Sequence, residues 1–274
     1  MKSITIEETV LINDYEFLKL KELIYNFSGI FIEKDKKEFI QNKLNSHLHL
    51  LHFDSFTKYF YYLLKTPEEL QIMINKITTN QTYFFREQKH YDFLEEILKK
   101  LESKRVFNCW SAASSSGEEA YSCAMLIGNV LNKSSHRWEV VLSDINNEML
   151  DKAKQAKYIL SEAKKIPENF FNLYCNFDKN TDKHHFYIKS NLKRQMQFKL
   201  INLTHKLPKD LEEFDVIFLR NIIIYFDKPT RKKVVENVIE KLKKNGYLFM
   251  GHSESLFNIT SKVRLIEPSI YQKV

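Results

Sequence analysis

The stretch that decides the fold is Arg105-Val-Phe-Asn-Cys-Trp-Ser-Ala-Ala-Ser-Ser-Ser-Gly-Glu-Glu-Ala-Tyr-Ser122. Its apolar start predicts a buried strand over Arg105–Trp110, and the small residues after it predict a tight loop over Ser111–Ser116. A helix is expected from Gly117. Small side chains let a backbone approach a ligand closely, and the first N–H groups of a helix lack internal partners. The stretch therefore predicts a ligand-binding strand–loop–helix unit.

Strands and helices alternate after this unit. Further strands are predicted at Trp138–Ser143, Phe214–Leu219 and Gly246–Met250, with a last, edge strand at Ile270–Lys273. A helix is predicted to begin near Asp227 and to be closed by Gly246. Such alternation is typical of an α/β fold whose mostly parallel sheet is covered by helices on both faces. Residues 175–201 interrupt it: the β-like runs His184–Lys189 and Gln195–Leu200 predict a small antiparallel insertion.

The N-terminal part has the pattern of helices alone. Apolar residues recur at helical spacing over Asp14–Phe27 and Asp35–Leu51. Asp54 is placed to cap a third helix through Leu64. The stretch Thr66-Pro67-Glu68-Glu69 has the form of a capping box for a fourth helix. Four short helices with short connections predict a compact all-α domain.

Residues 77–88 are expected to link an N-terminal helical domain, 1–76, to a catalytic domain, 89–274, and to contribute to its site. The segment Ile77-Thr-Thr-Asn-Gln-Thr-Tyr-Phe-Phe-Arg86 combines hydroxyls, an amide, three aromatic rings and a guanidinium. We expect the rings to hold the two domains together while Asn80, Thr82 and Arg86 face a ligand.

The composition excludes several classes. With 43% hydrophobic and 14% aromatic residues the chain is not disordered. We find no signal peptide and no membrane-spanning segment. Cys109, Cys123 and Cys175 are widely spaced and form no CxxC pair, which disfavours structural zinc and disulfides and indicates free thiols in a reducing cytoplasm. We expect a cytoplasmic monomer with no membrane insertion and no metal site. The net charge of +7 fits nucleic acid, an acidic protein surface, or a solvated lysine-rich surface.

Polar side chains follow the predicted strands. Glu118 follows the first loop, Asp144 the second strand, Asn202-Leu203 the insertion, and Arg220-Asn221 the third central strand. Ligands of open α/β sheets bind beyond the carboxyl ends of the strands, and an acid after the second strand accepts ribose hydroxyls. Acids at the start of a helix repel phosphate, so a nucleoside carrying a sulfonium is a better match.

Structural interpretations of the same residues stay open. The acids of the first helical turn favour the helix dipole whether or not a ligand binds. Asp144 could cap a helix over Asn146–Lys157, and both roles can hold at once. Arg220 interrupts the most apolar run of the chain, so it needs a partner, either a ligand or a structural ion pair.

Five stretches resemble the chemotaxis receptor glutamate methyltransferases, the CheR family. They are Thr78–Arg86, Trp110–Ser122, Leu142-Ser-Asp-Ile145, Phe218-Leu-Arg-Asn-Ile-Ile-Ile-Tyr-Phe-Asp227 and Gly251-His-Ser-Glu254. The resemblance covers nearly the whole chain. It implies a Rossmann-like S-adenosylmethionine methyltransferase core with a small antiparallel β insertion, behind an all-α N-terminal domain. It also implies methyl transfer from S-adenosylmethionine to glutamate side chains of chemoreceptors, which leaves a methyl ester and S-adenosylhomocysteine.

Residue roles carried over from the resemblance define an expected site. The implied cofactor contacts are Asn80, Thr82, Arg86, Glu118, Asp144, Asn202, Leu203, Arg220 and Asn221. Arg86 and Tyr225 match the positions near the transferred methyl group. Because a glutamate with a pKa of about 4.3 is ionised at neutral pH, the reaction needs no general base. The lack of a Ser/His/Asp or metal constellation is therefore no objection.

The partner implied by the resemblance is the set of acidic methylation helices in the cytoplasmic part of a receptor. Lys37 and Lys43, with Lys34 and Lys36, are candidates to meet those helices, and a solvated basic face is the alternative. Some family members clasp a C-terminal receptor pentapeptide with a glycine-containing turn. Residues 174–200 contain no glycine. We therefore expect action without this tether.

Two alternatives come from other classes. A nucleic-acid methyltransferase would use the same core and a basic surface. It usually needs an NPPY-like motif or a catalytic cysteine; neither is evident, and Cys109 lies on a predicted core strand. No nucleic-acid partner is expected. The second alternative is a non-catalytic S-adenosylmethionine-binding sensor or scaffold, which the presence of Arg86 and Tyr225 disfavours.

Overall fold

The computed structural model describes residues 9–101, 105–132 and 136–274. The chain divides into two compact units. The first runs to Thr79 and includes Tyr225–Asp227, and the second comprises Asn80–Ile224 and Lys228–Val274. Within the described ranges, no helix is both long and apolar enough to cross a membrane.

The first unit is helical. Its α-helices are α1 (Asp14–Ser28), α2 (Lys37–Leu50), α3 (Phe56–Lys65) and α4 (Pro67–Ile77), and a 3₁₀ turn, Lys34–Lys36, precedes α2. Asn13 and Glu16 form a capping box at the start of α1, and Gly29 ends it in the left-handed conformation at φ 74°. All four predicted helices are confirmed, although two predicted caps are wrong.

The cap of α3 is Ser55 and not Asp54. The Ser55 side chain accepts from the backbone N–H of Lys58 at 3.4 Å. The Asp54 carboxylate instead pairs with the Lys58 ammonium at 2.7 Å, one helical turn away. The serine therefore occupies the position from which a side chain reaches the first free N–H groups.

The predicted capping box before α4 is absent because Glu69 has other partners. Thr66 makes no side-chain hydrogen bond to this helix. The buried Glu69 carboxylate lies 2.6 Å from His47 Nε2 and accepts from the Tyr59 hydroxyl at 2.8 Å. A buried charge needs such partners, and Glu69 meets this need inside the helical core.

The second unit contains two sheets and six described helices. The strands are β1 (Phe107–Ser111), β2 (Trp138–Asp144), β3 (Lys157–Ile159), β4 (Cys175–Asn176), β5 (His185–Ile188), β6 (Met196–Leu200), β7 (Phe214–Leu219), β8 (Leu242–Met250), β9 (Val263–Glu267) and β10 (Ile270–Lys273). The helices are α5 (Gln88–Lys99), α6 (Glu118–Leu131), α7 (Asn147–Gln155), α8 (Glu168–Tyr174), α9 (Ser190–Lys193) and α10 (Lys228–Glu240).

The main sheet has the strand order β6-β2-β1-β7-β8-β10-β9. The five strands from β6 to β8 are parallel, whereas β10 and β9 are antiparallel to their neighbours. From β1 the chain builds the sheet first toward β2 and β6, and later on the other side through β7 and β8. The order therefore reverses between β1 and β7, which makes the unit a Rossmann-like α/β fold with its switch point there.

The antiparallel insertion consists of other strands than predicted. The run Gln195–Leu200 supplies β6, which pairs in parallel with β2, so it belongs to the main sheet. The small sheet consists of β3, β5 and β4. At the edge of the main sheet β6 is only partly buried, and its apolar residues alternate with polar ones. Because of this alternation, the sequence pattern predicted a strand of the antiparallel insertion.

Two expectations for the C-terminal strands are also corrected. β10 is an inner strand, because β9 pairs with its free side and forms the edge. Most side chains of β9 are exposed, so its sequence carries little strand signal. Gly246 does not close α10, which ends at Glu240; it lies within β8. A Cβ on Gly246 would stand 2.9 Å from the Asp215 carbonyl oxygen, so close backbone approach requires glycine there.

Candidate active site

The polar residues after β1, β2, β6 and β7 stand at one edge of the main sheet, because these strands are parallel. The loop between β1 and α6 is fixed there by its own backbone. The Ala112 N–H donates to the Phe218 carbonyl at 2.9 Å, and the Ser114 N–H donates to the Ser143 carbonyl at 2.8 Å. The loop of small residues therefore spans the ends of β7 and β2, at the switch point where α/β proteins bind ligands.

Gly117 allows this loop to turn into α6. Its φ is +97°, and a Cβ added there would lie 2.9 Å from the Cβ of Ala153 on α7. Both the backbone conformation and the close approach of α7 exclude a side chain. The prediction that α6 follows Gly117 is confirmed.

Asp144 ends β2 with a buried carboxylate. Its Oδ2 accepts from the Ser115 N–H at 2.8 Å, and its Oδ1 accepts from the Asn146 N–H at 2.9 Å. Burial raises the pKa of Asp144, and these donors oppose the rise. Asp144 does not cap α7, because the Asn146 side chain does so by accepting from the Met149 N–H. Each carboxylate oxygen keeps a second lone pair, so Asp144 can still accept a ligand hydroxyl.

Glu118 lies in the first turn of α6 and is 7% exposed. Its Oε2 accepts from the Ser116 hydroxyl at 2.7 Å. Burial raises the pKa of Glu118, with this hydroxyl acting in the opposite direction. A buried acid in this position suits a ligand with hydroxyls or a positive charge, as the sequence predicted.

Arg220 is held in a structural ion-pair network. Its Nη1 lies 3.0 Å from Glu119 Oε2, and its Nη2 lies 3.0 Å from Glu87 Oε2. Nη2 also donates to the Arg86 carbonyl at 2.5 Å. Although burial opposes it, these carboxylates raise the pKa of Arg220. The structural interpretation of Arg220 therefore holds, and direct contact with a cofactor stays a prediction.

Arg86 is half-buried, and its guanidinium makes few contacts. Its Nη1 donates to the Gln81 carbonyl at 3.3 Å, its Nε lies 4.0 Å from Glu87 Oε1, and the group lies over the Tyr83 ring at 5.7 Å. An arginine carries five N–H donors. These contacts leave Arg86 with donors for a further acceptor.

The rest of the linker packs into the second unit. The Phe84 ring lies 4.9 Å from Tyr158, and the Phe85 ring stacks on Phe170 at 5.5 Å. Both rings belong to the hydrophobic core of the second unit. Their role in holding the two domains together stays a prediction. The Asn80 carbonyl accepts from the Ser115 hydroxyl at 3.1 Å, which ties the linker to the β1–α6 loop. Thr82, which lies between Asn80 and Phe84 in the chain, is half-buried.

Asn202 and Leu203 reach the same edge because β6 is a parallel strand of the main sheet. The Asn202 Oδ1 accepts from the N–H and the hydroxyl of Thr204, at 3.0 and 2.7 Å. The buried Leu203 offers its carbonyl to the Asn237 amide at 3.3 Å. The corrected position of β6 therefore explains why these two residues stand at this edge of the sheet; their contact with a cofactor stays a prediction.

Asn221 follows Arg220 in the left-handed conformation, at φ 56°. Its N–H donates to Glu254 Oε2 at 2.7 Å, and the same oxygen accepts from the Gly251 N–H at 2.8 Å. Glu254 Oε1 accepts from the Ile223 N–H at 2.9 Å. Burial raises the pKa of Glu254, whereas its backbone donors lower it. Glu254 thus joins the ends of β7 and β8, a role that sequence reasoning missed although Gly251-His-Ser-Glu254 was recognised as a motif.

Replacing Glu254 with alanine is expected to lower the free energy of unfolding by about 2–4 kcal/mol, because each stranded backbone donor costs about 1–3 kcal/mol and entering water recovers part of it. Glu254→Gln, which keeps one acceptor oxygen, should lose less. Urea unfolding followed by tryptophan fluorescence measures both. Glu267→Ala, on exposed β9, is the control; an equal loss there would refute this role for Glu254.

Tyr225 ends a short 3₁₀ helix, Ile223–Tyr225. It belongs to the first unit, where its backbone carbonyl accepts from the Phe31 N–H at 2.8 Å. Its ring is half-buried. The role near the transferred methyl group stays a prediction.

The site defines a class of protein. A loop of small residues without a phosphate-binding lysine, a buried acid at the start of α6 and a second acid after β2 fit a nucleoside whose ribose hydroxyls need acceptors. The chain is therefore a Rossmann-like protein with a site suited to a nucleoside-type cofactor. Comparison with known families is more specific. Residues 80–271 match the S-adenosylmethionine-binding domain of CheR methyltransferases, and residues 15–78 match their all-alpha domain. This chain belongs to the CheR methyltransferase family, and its cofactor is S-adenosylmethionine.

Characterised relatives agree over almost the full length. The chain is 34% identical to the chemotaxis protein methyltransferase of Salmonella typhimurium, with 96% of this chain and 92% of the relative covered. It is 35% identical to the chemotaxis protein methyltransferase of Borreliella burgdorferi, with 94% of each covered. Chemotaxis protein methyltransferase 2 of Pseudomonas aeruginosa is 32% identical, with 93% and 92% covered.

Proposed function

We propose that this chain is a protein-glutamate O-methyltransferase that methylates glutamate side chains of chemoreceptors. The relatives named above are chemotaxis methyltransferases. The observation that supports glutamate as the acceptor is Arg86, a guanidinium with donors to spare on the segment that leads into the cofactor site. A guanidinium fork matches a carboxylate in a bidentate geometry.

The reaction requires little proton transfer by side chains of this chain. Bound S-adenosylmethionine supplies a methyl group on a sulfonium whose sulfur leaves without a proton. The acceptor carboxylate is already ionised at neutral pH, since a glutamate pKa is about 4.3. What remains is to align the carboxylate and to remove its water, and alignment of this kind can contribute roughly 7–11 kcal/mol.

We assign the individual tasks as follows. Asp144 would accept the ribose hydroxyls and Glu118 would face the positive end of the cofactor. The other proposed cofactor contacts are Asn80, Thr82, Asn202, Leu203, Arg220 and Asn221. Arg86 would orient the acceptor carboxylate without taking a proton. For Tyr225, whose hydroxyl would assist Arg86, the proposal rests on the family resemblance.

Incubation with radiolabelled S-adenosylmethionine, a receptor cytoplasmic domain and RNA tests this proposal. We expect label on the receptor that is released by mild base, as a carboxyl methyl ester requires. A receptor domain with its acceptor glutamates changed to glutamine is the control and should stay unlabelled. Label on RNA would favour the nucleic-acid alternative, and cofactor binding without turnover would favour the sensor; either result contradicts the proposal.

The proposed partner surface is formed by Lys37 and Lys43, the two lysines of α2. Lys37 is half-buried, and its ammonium pairs with Asp14 at 2.7 Å. Lys43 lies over the Phe39 ring at 5.5 Å. An acidic receptor helix would meet Lys43 directly and would compete with Asp14 for Lys37. We further propose that the chain acts in the cytoplasm as a monomer, without a nucleic-acid partner and without the C-terminal receptor tether.

Charge reversal by Lys43→Glu is expected to slow receptor methylation about fivefold at low salt, because an exposed ion pair contributes up to about 1 kcal/mol. The defect should shrink as salt rises, since screening weakens exposed pairs. Lys37→Glu should have a smaller effect because Asp14 already neutralises that lysine. Initial rates at several salt concentrations measure this. Lys65→Glu, exposed on α3, is the control, and an equal effect there would reject α2 as the docking face.

A further inference from the structure

A cluster of three potential metal ligands lies beside Arg86. Glu87 precedes α5 in the left-handed conformation, at φ 60°, and its Oε2 lies 3.5 Å from His90 Nδ1, one turn into that helix. The same oxygen lies 3.7 Å from the Nε2 of His252, in the loop after β8. The His252 N–H donates to Glu87 Oε1 at 3.3 Å. All three donor atoms lie within 4.8 Å of one another.

His90 is the unusual member of this cluster. Its side chain is 1% exposed, yet neither ring nitrogen has a hydrogen-bond partner among the described residues. The ring packs edge-on against Phe249 at 5.4 Å and against His252 at 5.1 Å. A buried polar atom without a partner costs about 1–3 kcal/mol, so such groups are rare and call for an explanation.

The Glu87 carboxylate would be the anionic ligand of the cluster. Glu87 and Glu119 share the guanidinium of Arg220, and the Arg86 Nε lies 4.0 Å from Glu87 Oε1, so the two neighbouring guanidiniums offset the two carboxylates. The buried His90 ring, whose nitrogens have no hydrogen-bond partner among the described residues, would supply an imidazole nitrogen, which is the commonest metal ligand in proteins.

We propose that Glu87, His90 and His252 bind a divalent transition-metal ion, with Zn²⁺ as the best match. Imidazole nitrogen and carboxylate oxygen are zinc ligands, and tetrahedral bonds of about 2.0–2.2 Å separate neighbouring donors by roughly 3.4 Å. The separations of 3.5 and 3.7 Å are close to that value. Two histidines and one carboxylate leave the fourth position to water.

The ion would have a positioning role. Glu87 directly follows Arg86, and the Arg86 carbonyl is already held by Arg220. A metal ion on Glu87 would also connect this residue to His90 on α5 and to His252 in the loop after β8. It would in this way hold the backbone at Arg86 and Glu87 in place. The sequence predicted no metal site, because residues 87 and 252 are far apart in the chain and no cysteine pair marks them. This inference does not depend on the identity of the methyl acceptor.

Titration of the full chain with Zn²⁺ tests the site, after removal of any histidine tag and dialysis against EDTA. Calorimetry should show one equivalent bound. His252→Ala, at a half-exposed side chain, should weaken binding by at least roughly 10–100-fold, the loss that even outer-shell changes cause at metal sites. His185→Ala is the matched control, because His185 forms a similar pair with Asp182 at 2.9 Å.

A second readout uses Co²⁺ as an optical probe. Its visible absorption should show a low-coordinate ion in the wild-type chain, and His252→Cys should add a thiolate-to-metal band. Tryptophan fluorescence confirms that each variant is folded. The proposal is overturned if Zn²⁺ fails to bind, if His252→Ala binds as the wild type does, or if His185→Ala loses as much affinity as His252→Ala.

Discussion

Replacing Arg220 with methionine is expected to lower the free energy of unfolding of the second unit by about 3–5 kcal/mol, because removing one member of a buried ion pair strands its partners. Arg220 contacts Glu119 and Glu87 at 3.0 Å each and donates to the Arg86 carbonyl. Urea unfolding followed by tryptophan fluorescence measures the loss. Both tryptophans, Trp110 and Trp138, lie in strands of this unit, so the signal reports it selectively.

Two further variants distinguish the cost of leaving a buried charge unpaired from the cost of losing side-chain packing. The triple replacement Arg220→Met, Glu87→Gln and Glu119→Gln should recover much of the stability, since it leaves no unpaired charge. Lys154→Met removes an exposed pair with Asp151 on α7 of the same unit and should cost less than about 1 kcal/mol. If Arg220→Met costs no more than Lys154→Met, the buried network does not stabilise the unit as argued.

Replacing Arg86 with methionine is expected to reduce the rate of receptor methylation by about 100-fold or more at saturating S-adenosylmethionine. Losing a charged donor at the reacting group, or misplacing that group by about 1 Å, has effects of this size. Arg86→Lys keeps the charge but loses the fork, so it should recover only part of the rate. Single-turnover measurement of base-labile label gives the chemical step directly.

The control for Arg86 is Arg194→Met, at an exposed arginine that follows α9. It should methylate receptors at the wild-type rate. Unfolding measurements on Arg86→Met distinguish lost catalysis from lost fold, because the side chain is half-buried and lightly bonded. A rate within twofold of the wild type would remove Arg86 from the catalytic machinery.

The central part of the fold could be predicted because burial dominates there. Every residue of β1 and β7 is buried, and apolar residues predominate in both strands, as is typical of strands covered on both faces. The edges could not be predicted in the same way. β6 is only partly buried and β9 is largely exposed, so their patterns say little about which sheet they join. Pairing with strands that are distant in the sequence determines which sheet β6 and β9 join.

The candidate site shows a similar division. The sequence located Glu118, Asp144 and Asn221 because they follow strands or begin a helix, which local patterns reveal. It could not reveal that Glu254 holds the Asn221 turn, or that Arg220 pairs with Glu119. These partners are 33 and 101 residues apart in the chain, so only the fold brings them together.

Calorimetric titration of S-adenosylmethionine into the wild-type chain and into Asp144→Asn tests most directly whether the strand ends form one cofactor site. We predict one bound equivalent and an affinity about 10- to 100-fold lower for Asp144→Asn, the loss expected for a hydrogen bond to a charged group. Asp178→Asn, in an exposed turn, should bind as the wild type does. Unchanged affinity in Asp144→Asn, or no binding by the wild-type chain, would contradict the account.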